Sequence, residues 1–293
     1  MNEKPILAYL GLGLMGLPMT LRLLQRGYRV HVWNRSRAKL APALERGAIE
    51  AATPRDAARA ADVCLLCLSD TRAVDEVVFG ADGVAEAEGR GKILVDHSSI
   101  RPDATRTFAE RLAGRSGMQW VDAPVSGGAK DAQDGTLAIM CGGHPEAIDR
   151  VRPALMAYAS NITHMGAAGT GQTTKLCNQV IAGAAIAVIA EAVTLAQNAG
   201  VDARRLVEAF AGGFADSKPL QIFLPRMVSG WQDSIGAANL LLKDLDTAAE
   251  LARASGTPLP MASLARELFR QLAAQGRGDE DPAALVTLYR KPR

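Results

Sequence analysis

A glycine-rich turn near the start of the chain is the first segment whose residue types and spacing could do chemistry. Gly11, Gly13 and Gly16 form a G-x-G-x-x-G pattern directly after an apolar run at residues 6–10, and a helical pattern follows at once. Gly11 permits a tight turn, Gly13 lets the backbone approach a pyrophosphate, and Gly16 allows close packing of helix and strand. The pattern predicts a dinucleotide-binding site. An ordinary strand-to-helix turn is the alternative, because glycine turns are common.

The end of the next predicted strand, at residues 33–37, indicates which dinucleotide binds. Sites that select NAD place an Asp or Glu near this point, where it accepts hydrogen bonds from the ribose 2′-hydroxyl. Asn34 stands there instead, followed by Arg35, Ser36 and Arg37. The two guanidinium groups could clamp a 2′-phosphate and Ser36 could add a hydrogen bond. The charges therefore predict a preference for NADP, with a solvated basic turn as the alternative.

Two later segments carry residues suited to binding and proton transfer. At residues 122–128 the sequence is DAPVSGG, in which the proline and paired glycines predict a turn with exposed backbone N–H groups. Such a turn, together with the Ser126 hydroxyl, suits a carboxylate, although a purely structural loop is an equal alternative. Further on, Lys175 lies in the first turns of an apolar helix and shares a face with Asn178. Burying an ammonium is costly, so this lysine indicates a function unless it lies at the surface.

Elements of alternating type must position these groups in the first half of the chain. Strands are predicted at residues 6–10, 29–33, 63–68, 93–96, 118–122 and 137–141. Helices are predicted at residues 17–26, 38–46, 73–79 and 146–157. Alternating strands and helices predict an α/β fold with a doubly wound, mainly parallel sheet.

Strand patterns nearly vanish after Gly166. Helices are predicted at residues 172–198, 203–211, 237–254, 260–274 and 282–288. The first of them is apolar almost all round, which predicts burial in an all-α domain or in a subunit interface. We therefore predict two domains, 1–165 and 166–293, the second of which begins with a long inter-domain helix.

Composition narrows the class of protein. The chain has 293 residues, 48% of them hydrophobic, and its 33 Lys and Arg nearly balance 31 Asp and Glu. That balance argues against binding to nucleic acid or to an anionic membrane. The first five residues lack the layout of a signal peptide, and the longest apolar run, at residues 180–190, is too short to span a bilayer. A cytoplasmic location is therefore expected.

The four cysteines do not indicate a redox or metal site. Cys64 and Cys67 form a C-x-x-C, but they lie in a predicted buried strand, where residues three apart point to opposite faces. A redox C-x-x-C belongs at a helix N-terminus, so we interpret these thiols as packing. No spacing of His and Cys is typical of zinc, and no metal is predicted.

Taken together, the motifs resemble the β-hydroxyacid dehydrogenase family over essentially the whole chain. The matching segments are residues 10–19, residues 122–128, the set Gly171, Lys175, Leu176 and Asn178, and residues 243–245. Members of this family include 3-hydroxyisobutyrate dehydrogenases, tartronate semialdehyde reductases and glyoxylate/succinic semialdehyde reductases. The resemblance implies a Rossmann-type domain followed by an all-α domain. It also implies an NAD(P)-dependent oxidoreductase that interconverts a small 3-hydroxy acid and its semialdehyde.

The resemblance also implies roles for individual residues. Lys175 is expected to be catalytic, with its ammonium stabilising the alkoxide formed by hydride transfer and donating a proton to it. The substrate-binding positions are expected to be Ser126, Gly127, Gly128, Asn178 and Ser99. The cofactor-binding positions are expected to be Gly11, Leu12, Gly13, Leu14, Met15, Gly16, Asn34, Arg35, Ser36, Leu68, Ser69, Ala73, Ser98, Ser99 and Lys243. Where the family usually has a small residue this chain has His97, which we interpret as packing.

Several points stay open at the level of sequence. Asp216, in a glycine-rich stretch at residues 212–219, could bind a substrate hydroxyl or amine, or could cap a helix. An imine reductase and a non-catalytic dinucleotide-binding module are rival functions, but imine reductases generally lack a lysine at the position of Lys175. Residues 180–190 carry no polar side chain, so a homodimer or homotetramer is expected.

Overall fold

A computed structural model describes residues 4–290, and the chain divides into two compact units, Met1–Lys175 and Leu176–Arg293. Residues 1–3 and 291–293, the outer ends of the two predicted domains, lie outside the described residues. Each unit has its own secondary structure and its own core, and each is described separately below.

The first unit is built on one twisted sheet. Its strands are β1 (Leu7–Leu10), β2 (Val30–Trp33), β3 (Ile49–Glu50), β4 (Val63–Leu66), β5 (Ile93–Asp96), β6 (Gln119–Asp122), β7 (Val125–Ser126), β8 (Leu137–Gly142) and β9 (Ala159–Gly166). The strand order is β3-β2-β1-β4-β5-β6-β8-β7, with β9 also paired to β8. The first six strands are parallel, whereas β8 runs antiparallel to β6 and β7. The predicted doubly wound sheet is thereby confirmed.

Helices cover both faces of this sheet. They are α1 (Gly16–Gln25), α2 (Ala41–Leu44), α3 (Pro54–Ala60), α4 (Thr71–Phe79), α5 (Pro102–Ser116), α6 (Gly128–Asp134) and α7 (Pro145–Leu155). Alternate residues of a strand point to opposite faces, so Leu7 and Tyr9 belong to one buried cluster and Ala8 and Leu10 to the other. The two clusters hold the parallel strands rigidly, and the loops at their carboxyl ends are therefore fixed in place.

The second unit is helical, as predicted. The long helix α8 (Thr170–Asn198) begins in the first unit and continues here, followed by α9 (Leu206–Phe210), α10 (Lys218–Ser229), α11 (Ala238–Ser255), α12 (Pro260–Leu272) and a 3-10 segment at Pro282–Tyr289. Its core includes Ile186 and Val193 of α8 together with Phe269 of α12. At Gly183 an added Cβ would lie 3.0 Å from Leu245 Cδ1, so α11 packs closely on α8.

By length and composition alone, α8 could cross a membrane, and one-third of its most apolar window is buried. Core helices of soluble proteins pass the same test, so one such helix is weak evidence for a membrane span. The part of α8 in the second unit also carries exposed apolar side chains, including Ile181 at 69% and Leu195 at 70%.

Candidate active site

The three positions of the first motif are occupied by glycine for different physical reasons. Gly11 has φ +95°, and a Cβ there would lie 2.4 Å from the carbonyl oxygen of Cys67. A Cβ at Gly16 would lie 1.9 Å from the carbonyl oxygen of Gly11. At Gly13, by contrast, a Cβ would meet no described atom within 4 Å. The protein's own packing requires the outer two glycines, while the middle one faces open space through which a ligand can approach the backbone.

The start of α1 fits a pyrophosphate. Leu14 and Met15 lead into the helix, and Met15 at the cap position makes no side-chain capping hydrogen bond with the helix. The first N–H groups of a helix have no partner within the helix, and the helix dipole adds positive potential at this end. The residues present therefore fit the diphosphate of a dinucleotide, and these N–H groups and Gly13 would hold it.

Asn34 connects this turn to the loop that follows β2. Its Oδ1 accepts a hydrogen bond from Leu12 N at 2.9 Å, and its Nδ2 donates to Ser36 O at 2.8 Å. Both ends of the side-chain amide are thus used inside the protein. Asn34 fixes the geometry of the loop on which the exposed Arg35 and Ser36 are displayed.

Arg37, the second arginine of this loop, forms an ion pair that the sequence pattern did not reveal. Its Nε lies 2.7 Å from Glu50 Oε1 and its Nη2 lies 3.0 Å from Glu50 Oε2. The hydrogen bond from Arg37 lowers the pKa of Glu50. A 2′-phosphate at this loop would therefore compete with a carboxylate for Arg37, whereas the structure shows no ion pair for Arg35 among the described residues.

The loops after β4 and β5 are linked by a buried serine. Ser98 Oγ accepts from Leu68 N at 2.9 Å, and Ser98 N donates to Asp96 Oδ1 at 2.8 Å. The next residue, Ser99, is partly exposed. These loops lie at the carboxyl ends of neighbouring parallel strands, where doubly wound folds bind their ligands.

Ser69 and Ala73, also expected at the cofactor, belong to the cap of α4. Asp70 Oδ1 accepts from Ala73 N at 2.9 Å, and Ser69 Oγ donates to Asp70 Oδ2 at 2.7 Å. The cap holds both residues at the N-terminus of a helix that follows the Leu68 loop directly.

His97 does more than fill space. Its Nδ1 lies 2.7 Å from Ala123 O, and its Nε2 lies 2.8 Å from Tyr158 Oη. A carbonyl only accepts, so Nδ1 carries the proton and Nε2 accepts from the tyrosine hydroxyl. Burial lowers the pKa of His97 to about 4, so the imidazole is neutral near pH 7. The histidine thereby holds Ala123, which leads into the predicted carboxylate loop, and packing is only part of its role.

That loop has the backbone conformation which its glycines predict. Val125–Ser126 forms β7, and Gly127 and Gly128 follow with φ of +137° and +83°. A Cβ at Gly127 would lie 2.7 Å from Asp131 Oδ2, whereas at Gly128 it would meet no described atom within 4 Å. Backbone N–H groups in a turn can form a concavity that binds an anion, and the open space beside Gly128 leaves room for a carboxylate.

Lys175 lies on a helix whose start is held by a distant carboxylate. The side chain is buried, with 9% exposed. Asp122, fully buried at the end of β6, accepts from Gly169 N at 2.8 Å and from Gln172 N at 2.9 Å. Burial raises the pKa of Asp122, although these backbone hydrogen bonds oppose the rise. A Cβ at Gly171 would lie 2.4 Å from Met140 O, which explains the glycine of this motif.

Asn178 and Lys243 are joined through Gln179 and Asp244. Asn178 Nδ2 donates to Gln179 Oε1 at 2.9 Å, and Gln179 Nε2 donates to Asp244 Oδ2 at 2.7 Å. Lys243 Nζ lies 3.3 Å from Asp244 Oδ1. The buried carboxylate of Asp244 therefore holds both predicted site residues of the second unit, one on α8 and the other on α11.

Asp216 forms its hydrogen bonds within its own part of the chain. Its Oδ2 accepts from Gly212 N at 2.8 Å and its Oδ1 accepts from Gln221 Nε2 at 2.6 Å. The Gln221 bond, followed by the Gly212 bond, lowers the pKa of Asp216. The cap of α10 is Ser217, whose hydroxyl accepts from Leu220 N at 3.2 Å.

The cysteines fit the packing interpretation. Cys64 belongs to one buried cluster of the sheet and Cys67 packs against the other, so their side chains point to opposite faces. Burial raises the pKa of the Cys64 thiol to about 12. Within residues 4–290, no group of three or more His, Cys, Asp or Glu is placed to hold a metal ion.

The chain is similar to known proteins over nearly its whole length. Residues 6–166 match the NAD binding domain of 6-phosphogluconate dehydrogenase, and residues 169–289 match the NAD-binding domain of NADP-dependent 3-hydroxyisobutyrate dehydrogenase. The chain is 38% identical to 2-hydroxy-3-oxopropionate reductase of Escherichia coli (strain K12), over 96% of this chain and 95% of that protein.

Solved structures are also similar to this chain over nearly its whole length. The crystal structure of 3-hydroxyisobutyrate dehydrogenase from Salmonella typhimurium matches with a TM-score of 0.89 and 30% identity, covering 97% of this chain and 100% of that one. A structure of Psf3 in complex with NADP+ and 2-OPP matches with a TM-score of 0.90 and 26% identity, over 97% of this chain and 100% of that one.

Proposed function

Because the chain belongs to the β-hydroxyacid dehydrogenase family, we propose that it interconverts a small 3-hydroxy acid and its semialdehyde, of the 3-hydroxyisobutyrate or tartronate semialdehyde type. The observation that carries this proposal is the buried ammonium of Lys175 in the first turns of α8, behind a helix start held by Asp122. A lysine ammonium at a buried position is suited to stabilising and protonating an alkoxide.

In the reducing direction, a bound NADPH would supply the hydride that reduces the carbonyl carbon of the semialdehyde. Lys175 donates a proton from its ammonium to the carbonyl oxygen, which gives the alcohol product. The lysine is then a neutral amine, and it regains a proton from water. In the oxidising direction, the neutral amine accepts the hydroxyl proton. Ser126, Gly127 and Gly128 hold the substrate carboxylate through the serine hydroxyl and backbone N–H groups, while Asn178 orients the lysine and the substrate.

NADP(H) is the preferred cofactor in this proposal, and NAD(H) is the second choice. Support comes from the exposed Arg35 and Ser36 beside Asn34, and from the absence of an acidic residue at residues 34–37. The NADP+ bound in the Psf3 structure supports the same choice. Lys243, held by Asp244, is proposed to contact the cofactor from the second unit.

We also propose a homodimer or homotetramer in the cytoplasm, built from domains 1–165 and 166–293. Support for assembly comes from Ile181, Val188 and Leu195, which lie seven residues apart on α8 and are each more than half exposed. A seven-residue spacing places side chains on one face of a helix, where a second copy can cover them.

A substrate screen tests the proposed activity. Small semialdehydes are assayed with NADPH and with NADH, and small 3-hydroxy acids with the oxidised cofactors. We expect turnover of at least one such pair, absent in a Lys175→Ala variant that still binds cofactor. Turnover confined to cyclic imines, or cofactor binding without any turnover, would support an imine reductase or a non-catalytic module instead.

A further inference from the structure

Gln172 is a buried polar residue whose side chain reaches a different part of the first unit. Only 1% of it is exposed, and it lies in the first turn of α8. Its Nε2 donates to Ser98 O at 2.7 Å, and its Oε1 accepts from Ile100 N at 3.2 Å. Both partners are backbone groups between β5 and α5. One side chain thus satisfies a donor and an acceptor in the segment 98–100.

The backbone of the same residue is held by Asp122. Gln172 N and Gly169 N donate to the two carboxylate oxygens of Asp122. This carboxylate fits only between glycines: a Cβ at Gly142 would lie 2.6 Å from Oδ1, and one at Gly171 would lie 2.8 Å from Oδ2. The start of α8 is therefore fixed at two points, against the end of β6 and against the segment after β5. Two points of attachment define both the position of the start of the helix along its axis and the rotation of the helix about that axis.

We propose that Gln172 is a positioning residue that fixes Lys175 relative to the segment 98–100. The inference rests on the proposed function, in which Lys175 transfers a proton, and on the expectation that Ser98 and Ser99 bind the cofactor. Lys175 follows Gln172 by three residues, about 4.5 Å along the helix axis and on the same side. Locking Gln172 to this segment therefore aligns the proton donor with the hydride donor. A misplacement of about 1 Å can cost about 100-fold in rate.

Gln172→Met tests the inference, because methionine keeps the length of the side chain and loses both hydrogen bonds. We expect kcat to fall at least about tenfold, while Kd for NADPH stays within about threefold because the diphosphate and ribose contacts are untouched. Amide hydrogen exchange at Ile100 should accelerate, since its N–H loses its acceptor. The matched control is Thr174→Val in the same part of the helix. Thr174 Oγ1 donates to Thr170 O of the same helix at 2.8 Å, so kcat should stay within about twofold.

Gln172→Glu provides an independent test that depends on pH and not on stability. A protonated glutamic acid has an O–H donor and a carbonyl acceptor that can replace the N–H and carbonyl of the glutamine amide, whereas the ionised form lacks the donor for Ser98 O. The ratio of kcat for Gln172→Glu to kcat for the wild type should therefore rise at least about tenfold between pH 8 and pH 5.5.

Two outcomes overturn the inference alone: a ratio that is flat with pH, or an active Gln172→Met variant with accelerated exchange at Ile100 and wild-type kcat. A wild-type protein that turns over no small semialdehyde or 3-hydroxy acid removes the proposed function, and this inference with it. The two failures are therefore distinguishable.

Discussion

At the scale of single residues, the glycines of the predicted binding turns serve two different purposes. Gly11 and Gly16 are glycines because the protein itself leaves no room for a Cβ. Gly13 and Gly128 have free space around the missing Cβ, and both lie in turns that we assign to ligands. The distinction separates glycines that close packing within the protein requires from glycines whose missing side chain leaves the backbone open to a ligand.

Lys175 is the residue on which the proposed chemistry depends most. We expect Lys175→Ala to lower kcat at least about 100-fold, because both proton transfer and stabilisation of the alkoxide are lost. Kd for NADPH, measured by quenching of protein fluorescence or by calorimetry, should change little. Near wild-type turnover in this variant would contradict the catalytic assignment.

The affinity for NADPH should fall when Arg35 is removed and rise when Arg37 is released from its ion pair. Arg35→Ala should raise KM for NADPH about tenfold and leave KM for NADH nearly unchanged, because only the phosphate contact is lost. Glu50→Gln should lower KM for NADPH about two- to fivefold by releasing Arg37 from its ion pair.

Steady-state kinetics with both cofactors checks the two effects. The control is Asp202→Asn, which breaks another exposed ion pair, the one with Arg204 in the second unit, and should change neither KM. A wild-type kcat/KM that favours NADH would argue against the assignment of Arg35.

At the scale of secondary-structure elements, the alternating pattern predicted most of the sheet, and the missing pieces have physical causes. Strand β9 was missed because five of its eight residues are exposed, so it has no buried apolar face to recognise. Helix α5 was missed because its buried face contains few apolar side chains, chiefly Phe108 and Leu112. Helix α10 contains Pro219 in its first turn and Pro225 further along, which weakens a helical pattern. The predicted helix at residues 38–46 is a 3-10 turn followed by α2.

The motif residues themselves could be identified from sequence, but their partners could not. Spacing places glycines and a lysine in local turns, and these turns are present in the structure. The contacts that hold them join residues far apart in the chain: Gln172 and Ile100 are separated by 72 positions, and Gln179 and Asp244 by 65. Contacts of that range depend on how elements pack. Gln179 and Asp244 are polar residues within apolar stretches, and Asp244 belongs to the matched segment 243–245, but neither sign reveals that the two side chains bond to each other.

His97 connects the ends of β5 and β6 and should make stability depend on pH. Its pKa is about 4 in the folded chain and 6.5 when unperturbed, so the unfolded chain binds more protons between these values. The free energy of unfolding should therefore fall as pH falls through this window. Between pH 7 and pH 5, the titration of His97 should lower the free energy of unfolding by about 2 kcal/mol.

Urea unfolding at several pH values measures this dependence. His97→Gln should flatten the curve between pH 6.5 and pH 4 relative to the wild type, whatever its absolute stability. His144→Gln, which removes an exposed histidine, is the matched control. Equal slopes in the two variants would rule out the buried histidine as the cause.

At the scale of the whole molecule, α8 has two surfaces with different surroundings. Ile186, Ile189 and Val193 are buried in the core of the second unit. Ile181, Val188 and Leu195 point elsewhere and are exposed by 69%, 52% and 70%. Exposed apolar side chains that recur along one face of a helix are unfavourable in water, and such rows mark interaction surfaces. A second copy of the chain, which presents the same row, can cover it by two-fold symmetry.

Light scattering after size exclusion tests this assembly. The wild type should elute at a multiple of the chain mass of 30.9 kDa, and Val188→Glu should dissociate it, because a charge in the middle of an apolar interface is costly to bury. The matched control is Val201→Glu, at an equally exposed position (51%) outside α8, which should leave the assembly intact. Stable subunit interfaces commonly bury more than about 2,000 Å², so dissociation by one central charge requires that the row lie within such a surface. A wild type that runs as a single chain at micromolar concentration would show that the row needs no partner subunit, and the helix face would then require another explanation.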